Sequence, residues 1–433
     1  MDITATIRTS EMTPFQLMAV AICLMINMID GFDVLAISFI APTIADEWSL
    51  PPSELGILFS VGLAGMVMGA LFIAPLADRF GRRALILVCL CVISAGMILS
   101  GLTQSLMQLA PMRFFTGLGV GGMLASINTM TAEYSSDRRR QLAISFLQAG
   151  YPVGGIIAGL SSAYLISNFG WRSVFTFGGV MSALMIPIVY FQLPESLDYL
   201  LSRRKDDSLA KVNAVLQRLD HDRIAELPEP AKSNSVSRNA LAEIFSRDFI
   251  ASTFGIWLCF VMVMCGWYFV VNWTPKALVD AGLSLDAGIS GGVLLSLGGV
   301  IGGLSLGYLA GRFPVNRLVA IFMVLSVSAM AVFGQLEANL TVMLIVAFCI
   351  GFFLAGAMIG LYAIVPEIYP PRVRNTGTGW ALGIGRFGAV IGPYAAGLLI
   401  EAGWERDMYY PALGLPLLLS MLVVLQLRTR AAG

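Results

Sequence analysis

The sequence predicts an all-α membrane protein of twelve transmembrane helices, arranged as two related halves of six. Three observations predict it: an apolar excess, a regular series of long hydrophobic runs, and an internal repeat. Of 433 residues, 57% are hydrophobic and only 12% charged, with a mean hydropathy of +0.80. That exceeds the apolar content of ordinary soluble domains by a wide margin.

A hydrocarbon core of roughly 30 Å needs about 20 apolar residues per helix. Runs of that length fall at 17–40, 54–75, 84–103, 107–130, 142–164 and 172–193, and again at 249–272, 287–309, 317–336, 340–363, 379–401 and 409–427. The polar stretch 194–248, containing RRKDD and ELPEPAKSNS, reads as a solvated tether between residues 1–193 and 249–433. The first dozen residues are polar and the first apolar run is too long for a signal peptide, so none is expected.

Sorting the loops alternately places Arg8, the arginines of DRFGRR and DRRR, the basic residues of the linker, and Arg312, Arg317, Arg372, Arg374, Arg428 and Arg430 on one side. The other side holds Arg172, Lys276 and Arg406. The positive-inside rule therefore puts both termini and the linker in the cytoplasm. Net charge is zero, which gives no case for nucleic-acid binding. The six cysteines (23, 89, 91, 259, 265, 349) all fall in spans, and the sole histidine, His221, falls in the linker. No metal cluster, disulfide, cofactor or catalytic constellation is expected from these, nor an enzyme.

The repeat is visible at an offset of 233 residues, where Leu76, Ala77, Arg79 and Phe80 match Leu309, Ala310, Arg312 and Phe313. At 234, Glu133 matches Glu367 and Arg138 matches Arg372. Duplicated six-helix halves suit an alternating-access transporter, whose halves rock about a site near the midplane. A duplicated channel or membrane enzyme is the alternative, but no filter-like segment or nucleophile constellation supports it.

LADRFGRR after the second run, RFFTGLGVGG in the fourth and LPES after the sixth resemble the major facilitator superfamily over essentially the whole chain. DGFDVLAISFIAP further resembles the first-span motif of aromatic acid:proton symporters, which take up benzoate-like, hydroxybenzoate-like and muconate-like acids. The resemblance implies the major facilitator fold, a bacterial inner-membrane location, a monomer, and an aromatic or related carboxylate and protons as partners. There are departures. Gly311 stands where the second loop motif usually has Asp, Pro314 replaces its turn glycine, and Ala74 replaces the leading glycine of the first motif. In GYPVGG, Tyr151 splits the Gly-Pro pair expected of drug antiporters, which argues against export.

Asp30 and Asp33 lie three residues apart, on one helix face. Facing lipid, each ionised group would cost about 2.5–3.5 kcal/mol, so the face must line a cavity or a partner helix. Like charges so close resist double ionisation and titrate as a unit, which makes a proton carrier, the alternative being a buried structural pair neutralised by an arginine. Gly31 between them lets a helix or a ligand come close. Arg113 lies at comparable depth and is either the counter-ion of these acids or a ligand for the substrate carboxylate. Arg386, in GIGRFG, is read as the anion ligand, the alternative being an arginine that snorkels to the interface.

Glu133 is a further proton-coupling candidate, against a solvated helix-end carboxylate; the resemblance favours the former. Asp78, Arg79, Gly81 and Arg82 read as a gate, with Asp78 holding a helix N-terminus or the DRRR arginines. Trp267, Tyr268 and Asn272 in GWYFVVNW, with Tyr362, offer flat walls for an aromatic ligand. Interfacial or packing aromatics are the alternative there, above all for Trp273. A sugar porter, a drug exporter and a channel remain alternative functions.

Overall fold

The computed structural model describes residues 12–203, 208–219, 223, 224, 227, 240–370 and 373–427. His221 and Arg372 lie outside the described residues. The described chain is helical throughout: α1 Pro14–Trp48, α2 Pro52–Phe80, α3 Arg82–Ser100, α4 Leu106–Glu133, α5 Asp137–Phe169 and α6 Arg172–Gln192. Short helices α7 Leu197–Arg203, α8 Ser208–Arg218 and α9 Ala240–Ile244 follow. Then come α10 Ile250–Asp280, α11 Leu285–Ala310, α12 Val315–Gln335, α13 Leu340–Ile368, α14 Arg374–Glu401 and α15 Arg406–Gln426.

Among the described residues, eleven helices are long and apolar enough to cross a membrane. The remaining long helix, α4, has 28 residues, or about 42 Å, but carries Arg113 and four glycines between 117 and 122. Several helices outrun the apolar segments read from the sequence. α1 has 35 residues, begins at a reciprocal Thr13–Gln16 capping box and ends where Ser49 turns left-handed at φ 50°.

The helices mate largely through glycine. A methyl group at Gly154 of α5 would lie 1.9 Å from Met28 O of α1, and one at Gly31 of α1 would lie 2.0 Å from Tyr151 O of α5. At Gly65 and Gly69 of α2 it would meet Phe114 O and Leu118 O of α4, each at 2.2 Å. All but the Gly31 contact recur in the later helices: Gly388 against Val261 O at 2.0 Å, Gly298 against Phe348 O at 2.2 Å and Gly302 against Phe352 O at 1.9 Å. Each pair is displaced by 233 or 234 residues, so the repeat that four loop residues suggest is also a repeat of backbone contacts.

The helix ends opposite the LADRFGRR loop carry a matching pair of staples. Arg172 Nε donates to Thr103 O at 3.3 Å, and Arg406 Nε to Gly334 O at 3.2 Å. Between the earlier and later helices, Ser38 Oγ donates to Asn272 Oδ1 at 3.0 Å and Ser60 Oγ to Val390 O at 2.7 Å. Ser53 N donates to Glu401 Oε2 at 3.1 Å, and the Phe59 and Trp273 rings meet edge to face. These links all lie toward that same end, so the earlier and later helices are tied there.

The reading of 194–248 as a solvated tether is corrected by its described residues. Leu197, Leu200, Val212, Leu216 and Leu219 are buried, and Arg218 stacks over the Phe15 ring. Apolar residues at helical spacing on α8 pack one face onto the protein, a pattern that the charge content of the stretch concealed.

Candidate functional site

The first helix carries both acids inward. Asp30 is 0% and Asp33 1% exposed, so neither faces lipid. Gly31 explains why α5 comes so near: its missing side chain admits the Tyr151 main chain beside Asp30. Of the two partners that the sequence allowed for at Gly31, the structure places a helix there.

Arg113 reaches from α4 to Asp33. Nη1 lies 2.6 Å from Asp33 Oδ1, Nη2 donates to Asp33 O at 2.8 Å, and the guanidinium sits 5.4 Å from the Phe175 ring centroid. A small cavity opens beside this pair, lined in part by Ile37, Phe59, Gly62 and Asn272. Asp33 Oδ2 and both carboxylate oxygens of Asp30 have no hydrogen-bond partner among the described residues. One arginine thus meets one of two buried acids. In a low-dielectric interior an uncompensated carboxylate is costly.

A second charge, half-buried, comes from the later helices. Arg386 sits thirteen residues into α14, and its Nη1 is buried without an acceptor among the described residues. Tyr362 of α13 and Tyr151 of α5 lie within electrostatic reach of Arg386, Tyr268 of α10 lies within reach of both phenols, and Tyr151 is also within reach of Asp30. A guanidinium with phenols in reach can hold a carboxylate by charge and a ring by its faces.

The other aromatic candidates divide. Trp267 is buried with its ring against Gly299, and Trp273 donates from Nε1 to Pro393 O at 3.0 Å in packing. Asn272 is spent on Tyr268 O and Ser38, and it reaches the cavity beside Asp33 rather than the Arg386 surroundings.

At the opposite end from the staples, Glu133 is buried and ion-paired with Arg82. Gly81, at φ 104°, turns the chain into α3 in a conformation that suits glycine. Glu195 caps that helix: its Oε1 accepts from Arg82 N at 2.8 Å and Arg83 N at 3.0 Å. The Arg82 guanidinium also donates to Ser196 Oγ at 2.7 Å, and Arg79 O accepts from the Tyr199 hydroxyl at 3.3 Å. The helix-holding role expected of Asp78 is therefore filled by Glu195; Asp78 itself is exposed on the short turn before Gly81.

The model of the Major Facilitator Superfamily matches residues 23–334 and 294–432. The chain belongs to that superfamily. It is 32% identical to the 4-hydroxybenzoate transporter PcaK of Pseudomonas aeruginosa, over 98% of this chain and 95% of that one. It is 30% identical to the gallate transporter of Pseudomonas putida, over 98% and 94%. The inward-open structure of the xylose transporter XylE of Escherichia coli shares its fold, with a TM-score of 0.76 at 15% identity over 95% of this chain and 96% of that one.

As a facilitator-superfamily protein it is a membrane-embedded transporter and not an enzyme. Two residues that this site uses escape a reading of the sequence. Glu195 stands inside the LPES motif, whose acid has no visible partner until α3 and α6 are side by side. Tyr151 is noticeable only as an interruption of a Gly-Pro pair, because its neighbours come from three other helices.

Proposed function

We propose that the protein is a proton-coupled importer of an aromatic carboxylic acid, working by alternating access between two six-helix bundles. The bundles are residues 1–193 and 249–433, joined by 194–248, with α4 as the twelfth span. The carrier is a monomer in the cell inner membrane with both termini in the cytoplasm. The 4-hydroxybenzoate and gallate of the relatives' names support the substrate class, since both are ring acids.

The observation that carries this reading is the charge balance at mid-membrane. Asp30, Asp33 and Arg113 leave one negative charge uncompensated, and Arg386 leaves one positive charge. A proton on the acids and a carboxylate on Arg386 neutralise both. Moving a monoanion inward against the membrane potential costs roughly 2.3 kcal/mol per 100 mV, and a proton moving with it cancels that cost. One proton per acid is the stoichiometry that this balance supports.

Asp30 and Asp33 serve as the proton site, with Arg113 as the fixed counter-ion of Asp33, and Arg386, Tyr268 and Tyr362 hold the acid. Glu133, Arg82, Gly81, Arg79 and Asp78 belong to the cytoplasmic gate, which Glu195 braces. With that end in the cytoplasm, the Ser38–Asn272 and Ser60–Val390 links close the outer end, and the conformation faces inward. Reversing it requires these links to break.

Uptake of labelled 4-hydroxybenzoate into membrane vesicles tests the reading. Accumulation above equilibrium that a protonophore abolishes is expected, with competition by benzoate and none by xylose. Uptake that only equilibrates, or that xylose inhibits, overturns it.

A further inference from the structure

Tyr151 lies within electrostatic reach of two charged groups, the buried Asp30 and the half-buried Arg386. Its main chain is wedged against Gly31, next to Asp30, and its hydroxyl is buried with no hydrogen bond among the described residues. The Tyr268 hydroxyl lies beside it, short of hydrogen-bond geometry, and Asp30 and Arg386 are both within electrostatic reach. An orphaned hydroxyl in a dry site is costly, and it persists where another state or a ligand supplies its partner.

We propose that the Tyr151 hydroxyl is a switched hydrogen-bond donor that couples the protonation of Asp30 to the grip on the substrate carboxylate. The inference rests on the carboxylate-and-proton reading above. A phenol has one donor hydrogen and an oxygen that accepts. When Asp30 is ionised, that hydrogen turns to the Asp30 carboxylate and is withheld from the substrate. When Asp30 has taken a proton, its carboxylic acid donates to the phenol oxygen, and the phenol hydrogen is free for the carboxylate held on Arg386. No bond to the ring is made or broken; only the proton on Asp30 is gained. Substrate thus binds tightly to the protonated carrier, and the proton stays until the substrate leaves.

The groups that face Asp30 are Asp33 on its own helix, Cys89 from α3 and Tyr151 from α5, with Arg113 of α4 held on Asp33. Tyr268 and Arg386 face the phenol from α10 and α14. Among these, Asp30 is the carboxylate without a counter-ion.

The test measures the half-saturating concentration of 4-hydroxybenzoate in counterflow exchange at pH 6 and pH 8, with no gradient imposed. Wild type is expected to weaken by roughly tenfold at the higher pH, the worth of one hydrogen bond to a charged group. Tyr151→Phe should be weak at both values, so that the ratio collapses to below about two. Asp30→Asn, neutral at all pH and still a donor, should bind at pH 8 as wild type does at pH 6. A Tyr151→Phe carrier that keeps the wild-type affinity at pH 6 or the wild-type ratio overturns the proposal. If that variant does not fold, Asp30→Asn decides alone, and weak binding at pH 8 overturns it. Wild type that does not exchange 4-hydroxybenzoate at all would instead overturn the functional reading on which it rests.

Discussion

Arg113 holds Asp33 at two points, 2.6 Å from its carboxylate and 2.8 Å from its main-chain carbonyl. The second contact ties the arginine to the helix itself, so the pair joins α1 to α4 whether or not a proton arrives nearby. Breaking a buried pair by removing one partner leaves an uncompensated charge and costs about 3–5 kcal/mol. Arg113→Ala and Asp33→Asn should each lower the melting temperature of the purified protein sharply. Asp33→Leu combined with Arg113→Met should recover much of the loss, and single variants that melt like wild type would refute the structural role.

Asp30 has no such partner among the described residues, so its removal should be gentle on stability and severe on coupling. Asp30→Asn is expected to retain counterflow exchange and to lose accumulation driven by a pH gradient. Accumulation at the wild-type level would take Asp30 out of the proton path.

Arg386 offers a planar fork that lysine cannot copy. Arg386→Lys should raise the half-saturating concentration by about tenfold while leaving the melting temperature in place. Arg386→Ala should abolish measurable uptake. Unchanged uptake kinetics in the lysine variant would argue for a snorkelling arginine instead.

The glycine contacts make a graded test of packing. Gly31→Ala sets a methyl group 2.0 Å from Tyr151 O, a main-chain atom that cannot step aside, and should cost several degrees of melting temperature along with transport. Gly307→Ala meets nothing within 4 Å and should leave both intact or raise stability slightly.

Ser60 belongs to the links that tie the helix ends opposite the LADRFGRR loop, its hydroxyl bonded to Val390 O at 2.7 Å; under the proposed topology that end faces outward. A cysteine there should react slowly with an impermeant thiol reagent added outside. Adding Asn272→Ala, which removes the link to Ser38, should speed the reaction by favouring the outward-open state. Equal rates would mean that the Ser38–Asn272 hydrogen bond does not hold that end shut.

Much of this was legible in the sequence because membranes impose simple rules. Span length follows bilayer thickness, and two acids in an apolar run demand an explanation whatever surrounds them. DGFD and GIGRFG therefore stood out without any structure. What stayed hidden depends on how helices are rotated against one another. Spacing put Arg113 at the depth of both acids but could not say that it reaches Asp33 rather than Asp30. The capping by Glu195 needed the end of α6 beside the start of α3, and the packed face of α8 was masked by its charged neighbours. Tyr151 draws notice only once α1, α10 and α14 are placed around it.

The reciprocal glycines also bear on how such a carrier can change over time. Where two helices touch main chain to main chain, the fit is decided by one absent atom and is indifferent to the side chains elsewhere on either rod. A few such positions suffice to set the spacing of a scaffold, and the remaining residues are released to suit a different cargo. A xylose carrier and this protein can then share one shape while agreeing at 15% of positions.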